Sequence, residues 1–401
     1  MKNFARCLLL CSAAIALLCS CNKTNPDDED PESGYNRVFI LYSAGFHNLS
    51  NYLASDQQEL IGEGSSTMLP LKSSGDVVLI VSHLCEYKDY DTPTPTYLVR
   101  ASKGSGGNPV LDTLKTYPST TKLTDNAAMK GIFNDILSAF PAKSYGALIS
   151  SHGSGWLPEG YYTNLKIKLN SIGAEYSNGG KDSDEMEISE LAGAIPMKLD
   201  YLLLDACLMG GVETAYELRG VTDRIAFSGT EIMANGFAYD TILSRLFPAS
   251  GSAADLTGVC SDYFAQYKDS YETTGGATIS LVDCTALEGL AALCGRLFED
   301  YREEMAAVDP DKVQGFFRYD RHFFYDLLDI MDNAGITAAD RAELAAELDK
   351  CVLYKAHTPE FLSIDLDTWC GLSMYLPADG NSDLDKFYKG LQWNAVSGLV
   401  K

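Results

Sequence analysis

The chain has 401 residues, of which 46% are hydrophobic, and a formal net charge of -24. That length allows one large domain or two ordinary ones. No basic cluster offsets the acidity, which counts against a nucleic-acid partner. An acidic surface favours cationic ligands, a basic peptide among them, although solubility alone would account for it.

The first segment reads as an address. MKNFARCLLLCSAAIALLCSCNKTN carries Lys2 and Arg6 ahead of an apolar stretch too short to span a membrane with proper flanks. It closes on Leu18-Cys19-Ser20-Cys21, which resembles a bacterial lipoprotein signal. Residues 1–20 are then the signal peptide, and Cys21 becomes the acylated first residue of a protein exported to the outer membrane or cell surface. An ordinary secretory signal is the alternative. Residues 21–35 are polar, acidic and proline-containing, so they form a flexible tether. Seven cysteines remain besides Cys21 (Cys85, Cys207, Cys260, Cys284, Cys294, Cys351 and Cys370). They show no CxxC pair and no metal-like spacing with histidine, which disfavours zinc and favours buried free thiols.

In chain order, residues 37–43 and 77–83 are apolar runs that predict buried strands, with a helix-permissive, glycine-terminated stretch between them. TYLVRAS and PVLDTLKTY predict further strand pieces. Met129, Ile132, Phe133, Ile136, Leu137 and Phe140 then recur at helical spacing behind Thr124 or Asp125 as cap. YGALIS predicts a strand that runs into His152. After a long polar loop, Ser189 is expected to cap a short helix, and YLLLD (201–205) is the next buried strand. A helix after Cys207 carries Val212, Ala215, Tyr216 and Leu218, and 225–228 resumes the strand pattern. Helices dominate from 250, with GATISLV and GLSMYLP expected to return to the sheet. This alternation predicts an α/β domain over 36–401, with a catalytic core to about 250 and a helical elaboration over 251–401. Its sheet is mostly parallel and covered on both faces.

Functional groups gather at the carboxyl ends of strands in such sheets. Two ends carry reactive side chains here: ISSHGSGW delivers His152, and LLLDACLMGG delivers Cys207. A thiol attacks a carbonyl only as the thiolate or beside a base, and imidazole is the natural proton shuttle. A helix starting at Cys207 is expected to favour the thiolate through its dipole. The backbone N–H groups of Gly153 and Cys207 are candidates for an oxyanion hole. Either motif alone is more often a turn or a core cysteine; together, with histidine about fifty residues before cysteine, they match the order used by caspase-type folds.

HGSGW at 152–156 and DACLMGGVETAYEL at 205–218 resemble the paired motifs of the clostripain family of cysteine peptidases, and supporting blocks extend the likeness from about 36 to about 377. The resemblance implies the caspase–hemoglobinase fold, His152 and Cys207 as catalytic dyad, and cleavage after Arg or Lys. Asp205 is the implied P1-selecting acid; capping of the next helix is its alternative role. Ser228 through Glu231 is the implied cleft-lining segment, with Glu231 adding negative potential. The resemblance also implies zymogen processing between the motifs, where Lys166, Lys168 and Lys181 stand, and Lys181 is the expected point of cleavage. No cofactor is required. Calcium is possible at Asp182, Asp184, Glu185 and Glu187, although a solvated charge run fits that stretch as well. One departure is Ser43-Ala44-Gly45-Phe46-His47, where the family tends to show an acidic residue before the Asn-Leu pair. His47, His83, His322 and His357 read as structural. The functional expectation is a secreted, lipid-anchored cysteine endopeptidase; the alternative is a catalytically silent surface lipoprotein that binds peptide or protein through the same fold.

Overall fold

Apolar runs without alternation can be buried on both faces only in the middle of a covered sheet, and that is where they lie. The computed structural model describes residues 25–401 apart from residues 32, 47, 87–88, 162–174, 178–181, 250, 320–322 and 378–381. Cys21, Lys166, Lys168, Lys181, His47 and His322 lie outside the described residues.

Nine strands form one sheet: β1 Tyr35–Ala44, β2 Asp76–His83, β3 Thr96–Lys103, β4 Pro109–Tyr117, β5 Ala142–Ser151, β6 Leu199–Asp205, β7 Thr222–Phe227, β8 Thr278–Asp283 and β9 Val352–His357. Their order is β9-β8-β7-β6-β5-β1-β2-β3-β4. The five central strands from β7 to β2 run parallel. An antiparallel pair closes each edge. One face packs helices α2 (Asn126–Ala139), α3 (Ile188–Ala194), α4 (Val212–Leu218) and α7 (Leu287–Asp300); the other packs α1 (Ser50–Ile61), α5 (Tyr239–Leu246) and α6 (Leu256–Ala265). This is the expected α/β architecture of the caspase type.

Local signals behave as read. Asp125 caps α2 by accepting from the Ala128 N–H at 2.7 Å. α1 stops at Gly62, whose φ of 69° few other residues adopt. Two expectations fail. Ser189 does not cap α3: Glu187 does, in a reciprocal capping box with Glu190, which leaves Ser189 inside the first turn. GLSMYLP does not rejoin the sheet, because only Ser373–Met374 is extended and it pairs with Tyr325–Asp326. Its apolar run is buried against a helical cluster, with Tyr375 5.0 Å from the Trp156 ring. The ninth place goes to VLYKAH at 352–357, an edge strand half covered on one face only, so it carries no continuous apolar run.

Candidate active site

Strand register sets the site. Ser150 of β5 pairs directly with Asp205 of β6. His152 and Cys207 each stand two residues beyond that pair, so they leave adjacent parallel strands at the same carboxyl edge. Contact between the two exits is tight. A Cβ on Gly153 would sit 2.4 Å from the Cys207 carbonyl oxygen and 2.8 Å from its nitrogen, so only glycine fits. Among the described residues neither the Gly153 nor the Cys207 backbone N–H has a hydrogen-bond partner. Two neighbouring unpaired donors beside a thiol are what an oxyanion needs.

His152 is half-buried, and its Nε2 lies 2.9 Å from the Asn48 side-chain oxygen. An amide oxygen accepts only, so Nε2 carries the proton and Nδ1 is the basic nitrogen. Asn48 was not anticipated as a third member. Its only sequence signal was the Asn-Leu pair in the opening block, and its spatial proximity to His152 cannot be read from a separation of 104 residues. Burial pushes the imidazole pKa down to about 4.

Cys207 occupies a tight turn in which the Ile232 N–H donates to Sγ at 3.4 Å. Burial, then the charges of Glu231 and Asp205, push the thiol up to about 12 against a weaker opposing pull from Ile232 and Arg318. The expected helix-dipole activation is therefore absent. α4 begins only at Val212 with Gly211 as its cap residue, so its N-terminal dipole acts beyond the thiol. At rest the pair is a neutral thiol and a neutral imidazole. The turn is strapped by the Leu208 N–H to Thr230 O at 2.9 Å and the Gly210 N–H to Ser228 O at 2.7 Å. Buried Leu208 is held left-handed at φ 61°, a conformation that costs a non-glycine residue about 1–2 kcal/mol and marks functional turns.

Asp205 is 6% exposed. It accepts from the Tyr239 hydroxyl at 2.5 Å and the Ser150 hydroxyl at 3.5 Å, and burial pushes its carboxyl up to about 6. It does not cap α4. Gly236, at φ 57°, lies against it: a Cβ there would meet its Oδ2 at 2.3 Å. Ser228 is fully buried and bonded to Thr278 and Thr230, so it holds the cleft-lining segment from within. Glu231 adds negative potential beside the nucleophile, since its charge helps push the Cys207 thiol up. Arg318 grips it through Nε at 2.6 Å and Nη2 at 3.3 Å, an ion pair that holds the carboxylate in place and opposes its pull on the thiol. Arg318, stacked 4.5 Å above the Tyr319 ring, gave no sequence signal.

Glu185 and Glu187 have structural duties, one accepting from the Gly160 N–H at 2.7 Å and the other capping α3. Among the described residues no cluster of His, Cys, Asp or Glu could hold a metal. His83 stacks on Phe46 and His357 bonds its own chain at Thr358, consistent with structural roles.

A caspase-type sheet that delivers a thiol and an imidazole to adjoining strand ends defines a cysteine peptidase. The chain belongs to the clostripain family, whose profile matches residues 41–398. It is similar in structure to an inactive zymogen of a C11 protease from Parabacteroides distasonis (27% identity, 91% of this chain and 98% of that one, TM-score 0.75). A secreted C11 cysteine protease from Bacteroides thetaiotaomicron in complex with an irreversible peptide inhibitor shares the fold (24% identity, 90% and 99%, TM-score 0.75). No curated protein matches the chain.

Proposed function

We propose that this cysteine peptidase is an endopeptidase that cleaves after Arg or Lys, with Cys207 as nucleophile and His152 as base and acid. The observation that carries the reading is the register: His152 and Cys207 leave paired strand ends, over the buried carboxylate of Asp205. Because both groups are neutral at rest, the proton of Sγ passes to His152 Nδ1 as the Sγ–carbon bond forms. The carbonyl oxygen takes up negative charge between the N–H groups of Gly153 and Cys207. The imidazolium returns the proton to the leaving amine as the carbon–nitrogen bond breaks. Water, deprotonated by the same imidazole, then hydrolyses the thioester and frees the thiol.

Asp205 is the P1-selecting acid in this reading, since burial makes an unpaired carboxylate costly and a cationic side chain beside it offsets that cost. Export and a lipid anchor at Cys21 follow from the N-terminal signal; one structural relative is described as secreted. Self-cleavage after Lys181 activates the enzyme, and a relative is described as an inactive zymogen. The chemistry requires no metal. Calcium, if it binds, acts at the acidic stretch Asp182–Glu187.

The test is turnover of matched peptides with Arg, Lys or neutral P1, with and without calcium and after limited trypsin treatment. Basic substrates should be hydrolysed by wild type and not by Cys207→Ala. A lack of turnover under every condition would favour a binding module instead. Intact mass of wild type beside Cys207→Ala tests processing: two chains are expected only in the former.

A further inference from the structure

Asp205 does not stand alone under the turn that holds Cys207. Successive side chains of β6 alternate between faces, and Asp205 shares the face of Tyr201 and Leu203. α1 and α5 pack on that face. Along α1 the inward stripe is Ser50, Leu53, Asp56 and Leu60, so a carboxylate occupies a position where helical spacing calls for an apolar side chain. Asp56 is 5% exposed. Among the described residues it has no hydrogen-bond or ion-pair partner, and neither it nor Asp205 is paired with a cation.

The surroundings are polar and unsatisfied. Tyr239, at the start of α5, spends its hydroxyl on Asp205. Tyr263, in the last turn of α6, and Tyr267, just beyond it, pack with tilted rings 5.2 Å apart, and among the described residues both buried hydroxyls lack a partner. The Tyr267 hydroxyl feels the charge of both carboxylates. Buried polar groups normally find partners, and a buried carboxylate without one is costly. Two buried carboxylates, one on the inward stripe of α1 and one on the sheet face that α1 covers, together with two spare hydroxyls describe a cradle built for a positive charge.

We propose that Asp56 is a second specificity-determining residue, which with Asp205 holds the charged end of a Lys or Arg P1 side chain, the Tyr263 and Tyr267 hydroxyls completing its shell. The proposal rests on the reading of Asp205 as the P1-selecting acid. Glu231 is already ion-paired with Arg318 and takes no part. Asp56 acts on binding, not on bond breaking. In the empty protein, burial and then the charge of Asp205 push it up to about 8. The titratable groups coupled to it are Asp205 from β6, Tyr239 from α5, Tyr267 beyond α6 and Glu59 on its own helix. A cation entering beside it expels its proton, so basic substrates should bind better as pH rises from 6 to 8.

The experiment compares wild type, Asp56→Asn and Asp205→Asn on matched peptides with Lys, Arg, norleucine or citrulline at P1. Asp56→Asn should lower the basic-to-neutral ratio of kcat/KM at least tenfold, chiefly through KM. It should also abolish the rise of that ratio between pH 6 and 8. Thermal melting and alkylation of Cys207 confirm a folded site, and Asp56→Ser serves if the Asn variant does not fold. Asp56 is a core acid only, and the proposal falls, if its variants keep the wild-type ratio while Asp205→Asn loses it. If wild type shows no basic preference, or Asp205→Asn keeps it, the underlying reading of Asp205 is what fails.

Discussion

Gly153→Ala isolates the contact between the two strand exits. The new Cβ would lie 2.4 Å from the Cys207 carbonyl oxygen, 2.8 Å from its nitrogen and 2.9 Å from the Ala206 Cβ. Ordinary contact begins at 3.4 Å, so backbone must shift by about 1 Å, and no flexible side chain is there to yield. A shift of that size drives His152 away from Cys207 and tilts one oxyanion donor. Misplacement by 1 Å costs roughly 10²-fold in rate, and loss of one donor costs a comparable factor. We expect kcat/KM on a basic-P1 fluorogenic peptide to fall by at least about 10²-fold, almost entirely in kcat. The protein should stay folded by circular dichroism, because the contact lies beyond the ends of the two strands, at Ser151 and Asp205, and not within the sheet. Activity within threefold of wild type, with an unchanged melting temperature, would refute the assigned contact.

The thiol, held at about 12 in the resting protein, should be alkylated by iodoacetamide at a rate that climbs about tenfold per pH decade through pH 9, with no plateau near neutrality. Glu231→Gln should speed that reaction a few-fold and Arg318→Met should slow it, because the two charges act on Sγ in opposite directions. Asn48→Ala should lower kcat roughly ten- to hundredfold with KM little changed, since it frees the imidazole to turn and to change tautomer. Asp56 makes a stability prediction as well. Its folded pKa of about 8 stands above its unfolded 3.8. The stability it supports is therefore complete below pH 3.8 and lost as pH rises through 8. At about 1.4 kcal/mol per decade the upper bound is several kcal/mol. Wild type should thus lose melting temperature between pH 5 and 9, and Asp56→Asn should lose distinctly less.

The central strands and both reactive exits were legible in the sequence because a buried parallel strand leaves a continuous apolar run, and because the polar residue that ends such a run has few structural reasons to be there. VFILYSA, YGALIS and YLLLD all carry this signature. The edge strand VLYKAH does not, since one open face removes the pressure for apolar residues, and GLSMYLP misled because burial in a helical cluster gives the same composition. Contacts formed across the fold were invisible. Asn48 reaches His152, Arg318 reaches Glu231 and Asp56 feels the charge of Asp205 only because the chain closes between them. The assumed helix start at Cys207 failed for a different reason. Periodicity located Val212–Leu218 correctly, but a left-handed Leu208 and two glycines extend the turn before the helix begins.

The most direct measurement is irreversible labelling with a peptide ketone carrying Lys at P1, followed by peptide mapping. One adduct per chain is expected, on Cys207, lost in Cys207→Ala and strongly slowed in Asp205→Asn. An adduct on another cysteine, or labelling indifferent to the charge of P1, would contradict the roles assigned to Cys207 and Asp205.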